Sequence, residues 1–204
     1  MIDDRLQAIH DVTDNFFFWQ GLRWIPMGAA MVACAAVSSP RLLVPPVQRG
    51  WIAVLSFAAA LWLSTTVLGG YYTRHFGRVR GDPSRHSLRT SIKWLVAYPA
   101  ICLALLIDAT RAPHVSVSGL AFAIALEAYR QSTGGRRAHY RWAAIGLVAF
   151  STLPVFGLAP SGKGLLAPLI GVIGFIYVVG GVLDHRELVR ILASVQEAPH
   201  VSSI

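Results

Sequence analysis

Charge is scarce in this chain. Only 14% of its 204 residues are Asp, Glu, Lys or Arg, where a soluble domain carries roughly a quarter. Acidic residues are the scarcer sign: 10 Asp and Glu stand against 18 Lys and Arg, for a formal net charge of +8. A chain this apolar is excluded from the class of ordinary water-soluble globules. Cysteine is nearly absent, with Cys34 and Cys102 as the whole complement. They share no C-x-x-C spacing, which excludes the usual zinc and dithiol motifs and leaves small apolar packing as the expected role. The start, "MIDDRLQAIHDVTDN", has no apolar stretch beside a small-residue cleavage site. No cleavable signal is expected, and the first spanning helix should serve as its own insertion signal.

What the chain has instead is long uncharged runs. No Asp, Glu, Lys, Arg or His occurs in 24–40, 51–73, 143–162 or 164–183. A bilayer core about 30 Å thick is crossed by roughly 20 helical residues. The stretch 94–129 is broken by "DATRAPH", so it reads as two short spans with a turn at Asp108 to His114. Pro113 marks the break, because proline lacks an N–H and its ring clashes with a continuing helix. A re-entrant hairpin is the alternative. The expected fold is therefore an all-α polytopic membrane bundle. Its six transmembrane helices are placed near 17–38, 51–72, 93–109, 113–130, 142–160 and 164–184. Residues 1–15 form an amphipathic cytoplasmic segment with Ile2, Leu6, Ile9 and Val12 on one helical face. The transmembrane domain covers 16–185, and 186–204 form a cytoplasmic tail.

Basic residues orient the bundle, since cytoplasmic loops collect Lys and Arg. One side holds Arg5, Arg74, Arg78, Arg80, Arg85, Arg89, Lys93, Arg130, Arg136, Arg137, Arg141, Arg186 and Arg190. The other holds Arg41, Arg49, Arg111 and Lys163. Both termini are thus expected in the cytoplasm. Were 94–129 a single span, the two basic loops would fall on opposite sides and the bias would largely vanish. Trp19, Trp24, Tyr71, Tyr72, Trp94, Tyr129, Tyr140 and Trp142 all fall at expected cytoplasmic ends, where amphipathic rings favour headgroup depth.

"GLAPSGKG", Gly157 to Gly164, has the G-x-x-x-x-G-K spacing of a phosphate-binding loop. Such a loop needs a strand before it and Ser or Thr after the Lys. Here Gly164 follows Lys163 and a membrane helix precedes, so the stretch is expected to be a turn. Histidines lie in loops or at span edges, which argues against an axial haem ligand in the core. No cofactor and no metal site is expected. Ionisable groups inside membranes are costly and usually functional, so Glu127, Asp108, Asp184 and His185 are the candidate functional polar residues. Glu127 precedes Arg130 by three, an i,i+3 pair that could simply stabilise a helix end. Pro26, Pro99, Pro154 and Pro168 fall inside the expected spans, and Pro154 should kink the fifth. Small residues at four-residue spacing, such as Ala29 with Ala33 and Ala167 with Gly171, suit close helix packing or an oligomer.

The basic residues Arg74, Arg78, Arg80, Arg85, Arg89, Lys93, Arg136, Arg137 and Arg186 are candidate contacts for anionic lipid headgroups or a protein partner. No nucleic-acid platform accompanies the positive charge. The stretches "YYTRHFGRV" and "GGVLDHRELVRIL" resemble an uncharacterised family of small bacterial multi-pass inner-membrane proteins. That resemblance implies the bacterial inner membrane and attaches no reaction to any residue. The leading expectation is a non-catalytic membrane subunit or sensor working through its basic cytoplasmic face. The alternative is a transporter or permease for a small apolar or lipid-like solute. Its path would run beside Pro99 and Pro154, in a cavity lined by Ser64, Thr65, Ser151, Thr152 or Tyr98. A membrane enzyme ranks lowest, for want of a His, Asp or Ser constellation.

Overall fold

The structure, a computed structural model, describes residues 20–39, 44–76, 86–111, 113–132, 137–160 and 162–196. Every regular element among them is helical. A 3₁₀ turn, Gly21–Trp24, leads into α1, Ile25–Val37. Helix α2 runs Pro46–Phe76 and contains a π-helical segment, Leu63–Leu68. Then come α3 (His86–Arg111), α4 (Val117–Ser132), α5 (Ala138–Thr152) and α6 (Lys163–Gln196). Pro26 and Pro46 sit in first turns, where the missing N–H has no intrahelical partner to lose. Pro99 and Pro168 lie within α3 and α6.

The elements depart from the expected spans. Helix α2 starts at Pro46 rather than 51, α3 runs from His86 to Arg111 rather than 93–109, and α4 starts at Val117 rather than 113. The fifth and sixth differ most. The fifth helix was expected over 142–160 with a kink at Pro154. It ends instead at Thr152, and Pro154 sits in a 3₁₀ turn, Leu153–Phe156. Proline's missing N–H and its clash with the carbonyl four residues back stop the helix rather than bend it. The sixth was expected to stop at 184 and continues to Gln196. Its extra turns carry Leu188, Ile191 and Leu192, which pack with Tyr72 and Phe76. The "GLAPSGKG" stretch joins the 3₁₀ turn to α6. Gly157 (φ 68°) and Gly162 (φ 60°) take left-handed conformations there, and the element before them is helical.

Helix α6 is the central post: α1 packs along it, α3 and α5 also touch it, and α2 packs on α1. The α1–α6 contact is backbone against backbone. A Cβ built on Gly28 would stand 2.5 Å from the Gly174 carbonyl oxygen. One on Gly181 would stand 2.5 Å from the Gly21 carbonyl oxygen. Ala35 meets Gly171 one step further along. Gly21, Gly28 and Ala35 recur every seven residues, as do Gly174 and Gly181, so each helix turns one stripe of small residues to the other. Close approach lets dispersion act between the two backbones.

Large apolar residues lie both inside and outside: Leu147, Leu165, Leu169, Ile173 and Leu188 are buried, and many others are exposed. Many buried apolar residues are small: Ala30, Ala60, Ala104, Ala123 and Ala144. Gln20, Asp108, Ser116, Ser118, Arg137, Ser151 and Asp184 are buried with them. Trp51, Leu55, Trp62, Val96, Ile124, Trp142 and Phe175 are all 60% exposed or more. Two helices, Pro46–Phe76 and Gly164–Ala193, are long and apolar enough to cross a membrane. Only 6% of the most apolar stretch of the first is buried within the protein.

The glycine contacts make a prediction. Gly28→Leu or Gly174→Leu should abolish the folded, monodisperse state in detergent, read by size-exclusion chromatography and thermal unfolding. Gly146→Ala, where an added Cβ meets nothing within 4 Å, should leave stability unchanged or raise it by up to about 1 kcal/mol.

Candidate functional site

Polar side chains gather at the two ends of the bundle. At one end the centre is Asp184 of α6, whose side chain is fully buried. Its Oδ2 accepts from the Tyr140 hydroxyl at 2.8 Å and from Arg137 Nη1 at 3.2 Å. His139 Nε2 lies 3.3 Å from the other carboxylate oxygen. Arg137 Nη1 also donates to the Tyr129 hydroxyl at 2.6 Å, and its guanidinium lies 5.4 Å from the centre of that ring. Local structure explains the convergence. Arg137 is the N-cap of α5, so Arg137, His139 and Tyr140 leave one helical turn together toward α6. Tyr129, near the end of α4, closes the cluster from behind.

The next residue, His185, faces the other half of the bundle. Its Nδ1 lies 3.0 Å from the Tyr72 hydroxyl, and that oxygen accepts the Leu22 N–H at 3.2 Å. Tyr71 and Phe76 pack against the pair, and His75 packs on Tyr71. The adjacent residues Asp184 and His185 thus tie α6 to α4 and α5 on one side and to α2 and the 3₁₀ start of α1 on the other.

Arg23 adds a third link at this end. Its Nε donates to the Ser64 carbonyl at 3.2 Å, and the Ser64 hydroxyl donates back to the Arg23 carbonyl at 2.8 Å. Ser64 lies in the π segment, where the wider helical turn disturbs the regular i to i+4 pairing. Thr65 and Thr66 hydroxyls bond carbonyls of the preceding turn there.

At the opposite end Asp108, near the end of α3, caps α4 from outside. Its carboxylate accepts from the Ser116 hydroxyl at 2.7 Å, from Val117 N–H at 2.9 Å and from Ser118 N–H at 3.0 Å. The Ser118 hydroxyl also donates to it. This is N-capping by a residue of another helix, and the negative charge also suits the positive end of the α4 dipole. Ser151 of α5 meets the same corner: its carbonyl accepts the Ser116 N–H at 3.0 Å.

The candidates read from sequence divide accordingly. Asp108, Asp184 and His185 are centres of the networks just described. Glu127 forms the expected pair with Arg130, at 2.6 Å, and also accepts from Gln131. Arg74 and Arg186 are exposed. Arg137, expected among the headgroup contacts, is instead buried against Asp184 and leaves that set. Its position one residue before α5 turns it inward. Arg78, Arg80, Arg85 and Arg136 lie outside the described residues, as do the side chains of Arg89 and Lys93 in α3. Of the residues expected to line a transport path, Ser64, Thr65, Ser151 and Thr152 each donate to a backbone carbonyl. Tyr98 is exposed on α3. The α4–α6 interior is packed with Ala123, Ala144, Leu147, Leu169 and Ile173.

Searches by family model, against curated proteins and against solved structures find no match to this chain. Function is therefore argued from geometry alone. Sequence reading missed Tyr72, Tyr129, Tyr140 and Arg23 as network members, taking the tyrosines only as interfacial rings. The cue was their count of hydroxyls at one level beside a lone Asp and an Arg.

The Asp184 network is testable. A buried charge that loses its partner costs about 3–5 kcal/mol, while replacing both partners by apolar groups is often close to neutral. Asp184→Leu and Arg137→Met should each lower the thermal midpoint strongly. The double variant should be more stable than either single one, measured as a double-mutant cycle.

Proposed function

We propose that this chain is an integral membrane protein of six spanning helices with both termini in the cytoplasm of a bacterial cell. We propose further that it is non-catalytic, a membrane subunit or sensor that meets anionic lipid or a protein partner through its basic cytoplasmic face. The observation that carries the reading is the exposure of α2. Its long apolar stretch is almost wholly unburied, with Trp51, Leu55, Leu61 and Trp62 turned outward. A soluble monomer rarely exposes so continuous an apolar patch; lipid is the solvent that tolerates it. A long apolar helix in a soluble core would be buried, and this one is not.

The distribution of polar groups supports the same topology. Residues 20–23, 72, 129, 137–140 and 184–185 meet at one end. Residues 108, 116–118 and 151 meet at the other. The first set adjoins the Arg-rich segments and the second adjoins the Arg-poor ones, as an even number of spans requires. Helices α4 and α5 have 16 and 15 residues. These are short for a full crossing, and capping from Asp108 keeps the polar turn between α3 and α4 satisfied at depth. The packed interior and the bonded hydroxyls favour a membrane component over a solute pathway.

Topology and extraction test this. In a background with Cys34 and Cys102 replaced by Ser, single cysteines are introduced at Arg80, Gly135, Arg41 and Ser161. A membrane-impermeant thiol reagent should label R41C and S161C in intact cells, and R80C and G135C only after lysis. The wild-type chain should stay with the membrane in alkaline carbonate and leave it only in detergent. Labelling of R80C in intact cells, or solubility without detergent, overturns the reading.

A further inference from the structure

A groove runs between α5 and α6 beside the Asp184 network. Ala143 of α5 and Gly180 of α6 leave it open, and Phe175, Val179 and Leu183 form its outer wall. Gly180 is held small by the Tyr140 ring, whose hydroxyl oxygen would lie 3.1 Å from an added Cβ. Phe175, Val179 and Leu183 are also exposed, so the groove opens onto the apolar outer surface and not into the interior. His139 stands at its polar end. Its Nε2 is buried toward Asp184 while the side chain remains about a quarter exposed, so the opposite edge of the ring faces outward. Arg186, exposed, lies three residues past Leu183 on the same helix, about one turn on and on the same side. Among neighbouring charges, Glu187 is paired with Arg190 and Asp184 with Arg137, so the end of the groove is net positive.

We infer that this groove holds an anionic phospholipid of the surrounding bilayer, one acyl chain between α5 and α6 and the phosphate beside His139 and Arg186. The inference rests on the membrane reading above. An apolar trough open to lipid and ending in positive charge is the complement of such a molecule. A basic pocket between helices at the cytoplasmic face is where acidic headgroups bind.

The test uses the full chain in nanodiscs of equal phosphatidylglycerol and phosphatidylcholine, followed by mild detergent extraction and native mass spectrometry. Wild type should retain phosphatidylglycerol stoichiometrically and in preference to phosphatidylcholine. Ala143→Phe, which fills the groove, should lose retention. Val179→Trp fills it from the lipid side and decides the matter if Ala143→Phe fails to fold. Arg186→Ala should reduce the preference for the anionic lipid by about fivefold, the equivalent of about 1 kcal/mol for one Arg. Retention that both filled variants leave unchanged, or absence of preference in wild type, overturns the proposal. A chain that resides in the membrane but carries no lipid defeats the groove alone; a chain soluble without detergent defeats the membrane reading beneath it.

Discussion

The close approach of α1 and α6 is the contact on which the rest of the structure depends. Gly28 and Gly174 leave no room between the two backbones for even a methyl group. Seven-residue recurrence keeps that stripe facing along the whole antiparallel pair. With α1 seated, the Leu22 N–H donates to the Tyr72 hydroxyl, that hydroxyl meets His185, and α2 packs on α1. Larger residues flank the stripe: Met31 and Val32 lie beside Gly174, and Tyr177 and Val178 beside Gly28.

Charge then sets register at the two ends. A buried carboxylate is unfavourable unless paired and hydrogen-bonded. Asp184 has Arg137 and Tyr140, and Asp108 has two serines and two backbone N–H groups. Each network draws on different helices, so sliding one helix by a turn would strand a charge. This is the register role best attested for buried polar groups. It gives Asp108 and Asp184 a structural role, and it makes the Asp184-His185 dipeptide the point where both halves are held.

Much of this was legible in the residues. Uncharged runs located the helices, because a long stretch without charge has few other stable environments. A break at Pro113 was legible, although Asp108 to Arg111 remain helical and α4 starts only at Val117; the Glu127–Arg130 pair was legible from its spacing. Other features were not. Pro154 reads as a kink inside a span, and only the structure shows a stop, with a 3₁₀ turn and the left-handed Gly157 after it. The length of α6 beyond Asp184 depends on Leu188 finding Tyr72, a contact between residues more than a hundred apart. Arg137 reads as one more loop cation, and its burial depends on where the first turn of α5 points.

By itself the sequence determined that the chain is helical and where charge is tolerated, since both follow from local composition and the solvation of charge. Only the tertiary structure decided which small residues touch, which arginine turns inward and which apolar faces stay outside. Those outcomes depend on the relative rotation and register of helices, and a helix exposes several faces of nearly equal apolar character here. Selecting one of them takes a partner helix, and the partner is distant in the chain.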